Sequence, residues 1–110
     1  VTNSTQTIIN TPGFWQVGLT ATLQAGGAVK QATIRITDSA GTNRTIWAWK
    51  TAINANNALT VLQNRFVVFL RSGDLLAVRS FDVDTVVDVW YRQIADLNGN
   101  LINPLNFSFN

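Results

Sequence analysis

The sequence predicts an all-β protein, either a β-sandwich or a small barrel. Charged residues make up 13% of the 110 residues, and the acidic ones are six Asp with no Glu, so the chain lacks the charged faces typical of solvated helices. Thr and Asn are abundant, and these residues favour strands and turns respectively. Segments of β-type pattern, about eight in all, are separated by turn-forming residues at roughly ten-residue spacing.

The N-terminal part of the chain contains the clearest strand. Val1–Gln6 is polar and is expected to form an extended or loose segment, and Thr7–Ile9 is expected to be a short strand that ends at the Pro12-Gly13 turn. Residues 15–23 then alternate strictly, with apolar side chains on one face and Gln, Gly or Thr on the other. Such alternation predicts a half-buried strand whose apolar face points toward the core.

A hairpin is predicted next along the chain. Ala32–Thr37 alternates, the turn formers of Asp38–Asn43 follow, and Ile46–Lys50 is expected to return as the partner strand. On this partner strand Trp47 and Trp49 share one face. We interpret the two tryptophans as core residues, as a subunit contact or as a platform for a ligand such as a sugar, and the sequence leaves these alternatives open.

The segment Phe66–Ser80 is the apolar centre of the sequence. It contains two apolar runs, Phe66–Leu70 and Leu75–Val78, separated by Arg71–Asp74. A Gly-Asp break between two short β-type runs predicts a tight turn that joins them as a hairpin. Because both runs are apolar at consecutive positions, each strand is expected to be covered on both faces.

The C-terminal part adds two further patterns. Phe81–Arg92 alternates again, which predicts a strand. Asn98-Gly99 is the dipeptide preferred in a two-residue hairpin turn, and it lies between Ile94–Leu97 and Leu101-Ile102. The length suits one core, so we expect a single domain over residues 1–110.

The side chains available to the protein argue against an enzyme. The absence of His and Cys excludes Ser-His and Cys-His nucleophiles and a His/Cys zinc site within this chain. Asp82, Asp84 and Asp88 are predicted to share one strand face and are a weaker alternative for calcium, which prefers several oxygen ligands. A solvated face opposite arginines is the simpler interpretation, so we expect no cofactor and no metal.

Charge and hydropathy argue against two classes of partner. The net charge is +2, and the six Arg are scattered along the chain, whereas nucleic-acid-binding proteins gather basic residues on one face or in a run. No apolar run approaches the ~20 residues needed to span a bilayer. The sequence therefore predicts neither nucleic-acid binding nor membrane insertion.

Two motifs carry a family resemblance. Thr11–Val17 contains Pro, Gly and aromatic residues at the start of a long strand, and Val68–Val78 contains an apolar strand, a Gly-Asp turn and a following strand. Together they resemble the tumour-necrosis-factor-like jelly roll, the superfamily that includes the globular heads of complement and collagen-tailed proteins. The resemblance implies an antiparallel β-sandwich of jelly-roll type that forms a homotrimer.

The resemblance also implies particular site residues. In a jelly-roll trimer the subunits meet along an apolar face, for which the candidates are Phe66, Val68, Phe69, Leu70 and Trp90. A ligand would be recognised at exposed positions, for which the candidates are Trp47, Trp49, Asn54, Asn56 and Asn57.

These expectations lead to a predicted function. The chain is expected to be a non-enzymatic, trimeric head domain of a viral or phage spike or fibre, located on the virion surface or outside the cell, that binds a host receptor or glycan. Two alternatives stay open. One is a structural assembly or capsid decoration protein without a ligand of its own, and the other is a stand-alone carbohydrate-binding β-sandwich.

Overall fold

The computed structural model describes residues 1–51 and 58–102, which form seven β-strands. These are β1 (Thr5–Ile9), β2 (Gly13–Gln24), β3 (Gln31–Thr37), β4 (Asn43–Lys50), β5 (Leu59–Leu70), β6 (Leu75–Ser80) and β7 (Thr85–Ala95). The all-β prediction is confirmed, although about eight strands were expected. This part of the chain contains no helix that is long and apolar enough to span a membrane.

The strands form two antiparallel sheets that pack face to face as a β-sandwich. The four-stranded sheet has the order β1-β6-β3-β4, and the three-stranded sheet has the order β5-β2-β7. Buried apolar side chains from both sheets fill the space between them: Ile9, Val17, Leu19, Ala21, Leu23, Ala32, Ile34, Val68, Leu70, Leu76, Val78 and Val87. Burial contributes roughly 1.5–3 kcal/mol for each large aliphatic side chain, so this core is the main source of stability.

Strand β2 is the centre of the three-stranded sheet and sets its register. It pairs with β5 over all 12 of its residues, from Gly13 opposite Leu70 to Gln24 opposite Leu59, and with β7 on its other side. The apolar side chains of its alternating pattern point into the core, as the sequence predicts, and Val17 is completely buried. Alternation within one strand therefore fixes which side of the whole sheet faces inward.

The turn Arg71–Asp74 connects the two sheets. Strand β5 before it pairs with β2 in one sheet, whereas β6 after it pairs with β1 and β3 in the other. The predicted hairpin over Phe66–Ser80 is therefore wrong. A Gly-Asp turn has the same local signature in a hairpin and in a corner between sheets, and the choice depends on partner strands that are distant in the sequence.

Asp74 holds this corner in place. Its carboxylate accepts hydrogen bonds from the Arg71 backbone nitrogen at 2.8 Å and from the Arg71 Nε at 3.1 Å. Gly73 has a φ of 88°, in the left-handed region that glycine adopts without steric cost. The hydrogen bonds from Arg71 favour the charged carboxylate, and they lower the pKa of Asp74 below its ordinary value.

Each of two hairpin loops is closed by backbone hydrogen bonds to the carboxylate of an Asp at the first loop position. Asp38, between β3 and β4, accepts hydrogen bonds from two backbone N–H groups of its loop at 3.0 and 2.9 Å. Asp96, after β7, accepts two in the same way at 3.0 and 2.9 Å. Both predicted hairpins are confirmed, although the second pairs Ala95 with Leu101 and so has a longer loop than a two-residue Asn98-Gly99 turn.

Strand β7 begins at Thr85, four residues later than the alternation from Phe81 predicts. The preceding residues form a turn in which the Ser80 Oγ donates to the Asp82 carbonyl at 3.0 Å. Val83, an apolar residue of this alternating segment, is 68% exposed at the turn. Alternation predicted the strand correctly, but it extended the strand into a segment whose hydrogen bonds form a turn.

The N-terminal segment, predicted to be extended or loose, bends at Asn3, whose φ is 47°, and is hydrogen-bonded to both sheets. The Val1 nitrogen and oxygen bond to the backbone of Val87 in the three-stranded sheet, at 2.8 and 3.0 Å. The Asn3 nitrogen donates to the Oγ of Ser80 in the four-stranded sheet at 3.0 Å. The segment therefore closes the side of the sandwich where β7 and β1 lie.

Candidate subunit interface

The outward side of the three-stranded sheet exposes apolar side chains. Because side chains alternate along a strand, every second residue of β5, β2 and β7 points away from the core. We call these residues the apolar face: Phe14, Gln16, Gly18, Thr20 and Thr22 of β2, Leu59, Val61, Gln63, Arg65, Val67 and Phe69 of β5, and Val86, Asp88, Trp90 and Arg92 of β7. Leu59, Val61 and Val67 are 66%, 60% and 58% exposed, although all three are aliphatic.

Trp90 lies across the centre of the apolar face. Gly18 stands in register between Arg65 and Trp90, and the indole occupies the space above Gly18, where any Cβ would overlap the ring. The Arg65 guanidinium lies 5.4 Å from the centroid of the indole, within the range of a cation–π attraction. Trp90 is still 45% exposed. The three residues therefore form a flat stack that presents an aromatic surface to solvent.

The end of the apolar face near the Arg71–Asp74 turn is also aromatic. Phe14 and Phe69 are a cross-strand pair whose ring centroids are 4.6 Å apart. Between this pair and the tryptophan, the Arg92 Nε donates a hydrogen bond to the Gln16 Oε1 at 3.1 Å. Two polar side chains of the face thus pair with each other, while neighbouring apolar groups stay exposed.

The structure separates the predicted interface residues into two groups. Val68 and Leu70 point into the core and are 9% and 0% exposed, so they have no surface left for a second subunit, and their assignment is corrected. Phe66 is half-buried and packs against the same core. Phe69 and Trp90 lie on the apolar face, and their role in an interface stays a prediction.

Sequence reasoning missed Val61 and Val67 on the apolar face. The run Phe66–Leu70 is apolar at every position, so it does not show by itself which residues point inward. The register supplies the missing information, because Val67 pairs with Gln16, which belongs to the polar side of an alternating strand. The outward residues of β5 could be found from the sequence only if its pairing with β2 were known.

Strand β5 is an edge strand of 12 residues. Among the described residues it pairs on one side only, with β2. A free edge presents a row of backbone N–H and C=O groups to any approaching chain, and monomeric proteins usually keep such edges short or charged. A long edge with exposed Leu59, Val61 and Val67 lacks that protection over most of its length.

The two tryptophans of β4 occupy different environments. Trp47 pairs with Ile34 of β3, is half-buried and packs against the core, so the core interpretation applies to it. Trp49 is 41% exposed on the edge strand β4, and its role in ligand binding or subunit contact stays a prediction. The predicted ligand residues Asn54, Asn56 and Asn57 lie outside the described residues.

The three Asp residues considered for calcium are used separately. Asp84 forms an ion pair with Lys30 at 3.2 Å, and Asp82 accepts a backbone hydrogen bond from β3 at 3.3 Å. Both lie in the turn before β7, whereas Asp88 lies on the strand itself, so the expected common strand face is wrong. No group of three His, Cys, Asp or Glu side chains in the described part of the chain is arranged to hold a metal ion.

Comparison with known proteins gives matches among solved structures. No family model and no curated protein matches the chain. A crystal structure of a pentameric capsid protein isolated from metagenomic phage sequences is 31% identical, with a TM-score of 0.77, and the match covers 94% of this chain and 64% of that one. A second crystal structure of such a protein, solved by iodide SAD phasing, is 31% identical, with a TM-score of 0.76 and coverage of 94% and 68%.

The match extends over nearly all of this chain and about two thirds of the length of each capsid protein. The chains share 31% sequence identity as well as the fold, so the similarity is greater than membership of one fold class would give. The chain therefore belongs to the same protein family as these metagenomic phage capsid proteins.

Proposed function

We propose that this chain is a structural subunit of a phage capsid that assembles with copies of itself into a ring of five. The observation that supports the proposal is the 31% identity to proteins described as pentameric capsid proteins, over 94% of the chain. Because the chain spans about two thirds of their length, the five-fold ring and the place in the virion are both part of the proposal.

The apolar face gives the proposal physical support. A closed ring needs a heterologous interface, in which one surface of each copy meets a different surface of the next. Exposed apolar surface that is larger than single scattered residues marks an interaction site in soluble proteins. Strands β5, β2 and β7 provide such a surface, with Trp90 at its centre.

The proposal gives the chain no enzymatic role. The sequence contains neither His nor Cys, so the usual activated nucleophiles cannot be assembled within this chain. The related proteins are capsid proteins. The pKa values of Asp74 and Asp96 are lowered by hydrogen bonds that hold a corner and a loop, which is not a catalytic arrangement.

The trimeric attachment head has less support than the capsid subunit. The related proteins are described as capsid proteins and as pentameric, which gives no support to the expected trimer or to receptor or glycan binding. A jelly roll of the tumour-necrosis-factor-like superfamily stays a prediction. The structural alternative, without a ligand of its own, agrees better with the comparisons.

The test is the number of copies in the assembly. Light scattering coupled to size-exclusion chromatography, together with native mass spectrometry over a range of concentrations, should give five times the protomer mass. Three copies would favour the attachment head instead. A monomer at every concentration would contradict self-assembly of any kind.

A further inference from the structure

We infer that the apolar face is the surface on which a second copy of this chain docks, with the Trp90–Gly18 stack at its centre. This inference rests on the proposed capsid function and adds to it the location of the contact. The other surface in the contact, on the second copy, is a different one, because a ring of five cannot close through two identical patches.

Exposure of apolar side chains is the first argument for this location. Six of the large apolar residues that stay exposed in the described residues lie on the apolar face: Leu59, Val61, Val67, Phe69, Val86 and Trp90. They form two groups, Leu59, Val61 and Val86 in one and Val67, Phe69 and Trp90 in the other, separated by the polar row Gln63, Thr20 and Asp88. Single scattered apolar residues are normal on a soluble protein, whereas grouped ones are typical of an interface. Aromatic residues at the centre of such a set are typical interface anchors.

The Trp90–Gly18 stack is the second argument. A tryptophan of the protomer core would be buried, whereas Trp90 is 45% exposed although it packs over Gly18. Gly18 lies beneath the ring, and the Arg65 guanidinium lies over it, 5.4 Å from the centroid. A ring held in this way has little conformational freedom to lose when a partner covers it, which favours binding.

Size is the third argument. Twelve residues along a strand and three strands across give a rectangle of about 40 Å by 14 Å, or about 550 Å² in projection. A stable interface buries roughly 800 Å² of accessible surface on each partner. Side chains that rise from the sheet add to the projected area, so the apolar face is large enough to form most of one such contact.

Charge supports a second protein copy as the partner and argues against a polyanion. The apolar face carries two arginines and one aspartate, and both arginines already have partners on the face: Arg65 lies over Trp90, and Arg92 donates to Gln16. A nucleic-acid surface would present several free basic groups together. A surface that mixes apolar and polar side chains and carries few charges is what another subunit of a capsid would cover.

Single-cysteine labelling tests the location directly. The chain contains no Cys, so an introduced cysteine is its only thiol. We compare Val67→Cys on the apolar face with Thr7→Cys, which is also exposed and lies on the edge strand β1 of the other sheet. In the assembled ring, Val67→Cys should react with a maleimide at least about tenfold more slowly than Thr7→Cys, because the core of an interface excludes solvent. At a dilution where the chain is monomeric, the two rates should be similar.

A charge introduced at the same two positions gives an independent measurement. Val67→Asp should raise the concentration needed for half-assembly by more than about tenfold, because burying an unpaired carboxylate is costly. Thr7→Asp should leave that concentration unchanged. Urea unfolding of both variants shows whether the protomer itself is intact, and if Val67→Asp fails to fold, the labelling result decides alone.

The outcomes separate this inference from the proposed function. Rings of five in which Val67→Cys reacts as fast as it does in the monomer would contradict the docking surface and leave the capsid subunit standing. Unchanged assembly of a folded Val67→Asp chain would also contradict the docking surface. A chain that stays monomeric at all concentrations would contradict both proposals.

Discussion

The outward sides of the two sheets differ in chemistry although the sheets share one core. The apolar face of the three-stranded sheet exposes Val67, Phe69 and Trp90. We call the outward side of the four-stranded sheet the polar face, because most of its residues are polar. They include Thr5, Thr7, Gln31, Thr33, Arg35, Thr37, Lys50 and Arg79, together with the apolar Ala48, Leu75 and Ala77. This difference in exposed apolar surface is the reason for proposing the three-stranded sheet, and not the four-stranded one, as the docking surface.

Two aromatic residues illustrate the same difference. Phe81, after the end of β6, has the guanidinium of Arg79 3.9 Å from its ring centroid. On the apolar face the guanidinium of Arg65 is 5.4 Å from the Trp90 ring, which is left 45% exposed. Phe81 is half-buried, whereas Trp90 is exposed, although an arginine contacts each ring.

The largest expected effect is the loss of stability when a core residue of β5 is truncated, compared with truncation of an outward residue of the same strand. Leu70→Ala should lower the free energy of unfolding by about 2–5 kcal/mol, because Leu70 is completely buried and its truncation leaves a cavity. Phe69→Ala, next to it but 41% exposed, should weaken the assembly more than it destabilises the isolated protomer. Urea unfolding measures the first quantity and light scattering the second. Equal unfolding losses in the two variants would contradict the assigned orientation of β5.

The next effect concerns the support beneath Trp90. Gly18→Ala should cost about 1–3 kcal/mol, because the new Cβ would overlap the indole and force it to move. Gly27→Ala is the matched control, since a Cβ at Gly27 meets nothing within 4 Å. The control should be neutral or slightly stabilising in urea unfolding. If Gly18→Ala behaved like the control and still assembled, the stack would not be the anchor of the apolar face.

A smaller effect is expected at the corner that joins the two sheets. Asp74→Asn should cost about 1 kcal/mol at neutral pH, because it weakens hydrogen bonds from Arg71. Since the pKa of Asp74 is lowered in the folded protein, the stabilisation is present above the ordinary pKa of an Asp and is lost as the pH falls toward and through the lowered value. As the pH is lowered from about 5, the urea midpoint of the wild type should therefore fall by more than that of the variant. Identical pH dependence would contradict the role of Asp74.

The smallest effect is expected away from both faces. Asp84→Asn removes the ion pair with Lys30 in the turn before β7 and should change the unfolding free energy by less than about 1 kcal/mol, because the Asp84 side chain is 47% exposed. It should leave the number of copies in the assembly unchanged. A calcium-dependent rise in the melting temperature of the wild type that is lost in this variant would instead restore the metal alternative.

Much of the fold can be predicted because its signals are local. The alternation of residues 15–23 identifies the inward side of β2, and an Asp at the first loop position with a Gly three residues later marks both hairpin loops. These signals are contained in a few neighbouring residues. The connection at Arg71–Asp74 cannot be predicted in the same way, because the turn is local but the choice of partner strand is not.

The candidate interface was predicted only in part for the same reason. Phe69 and Trp90 lie on the apolar face, but Val68 and Leu70 lie in the core. Because the run around them is apolar at every position, the sequence does not show which of its residues point inward. The contact between Gly18 and Trp90 joins residues that are far apart in the sequence and depends on the register of β2 with β7. Such contacts follow from strand pairing, which the sequence pattern alone does not supply.

A cryo-electron-microscopy map of the assembled chain tests the central claim most directly. We expect a five-fold ring in which the apolar face of each copy, with Trp90 at its centre, is covered by a different surface of its neighbour, while the polar face stays in solvent. A ring in which the apolar face is exposed and the polar face forms the contact would contradict the account.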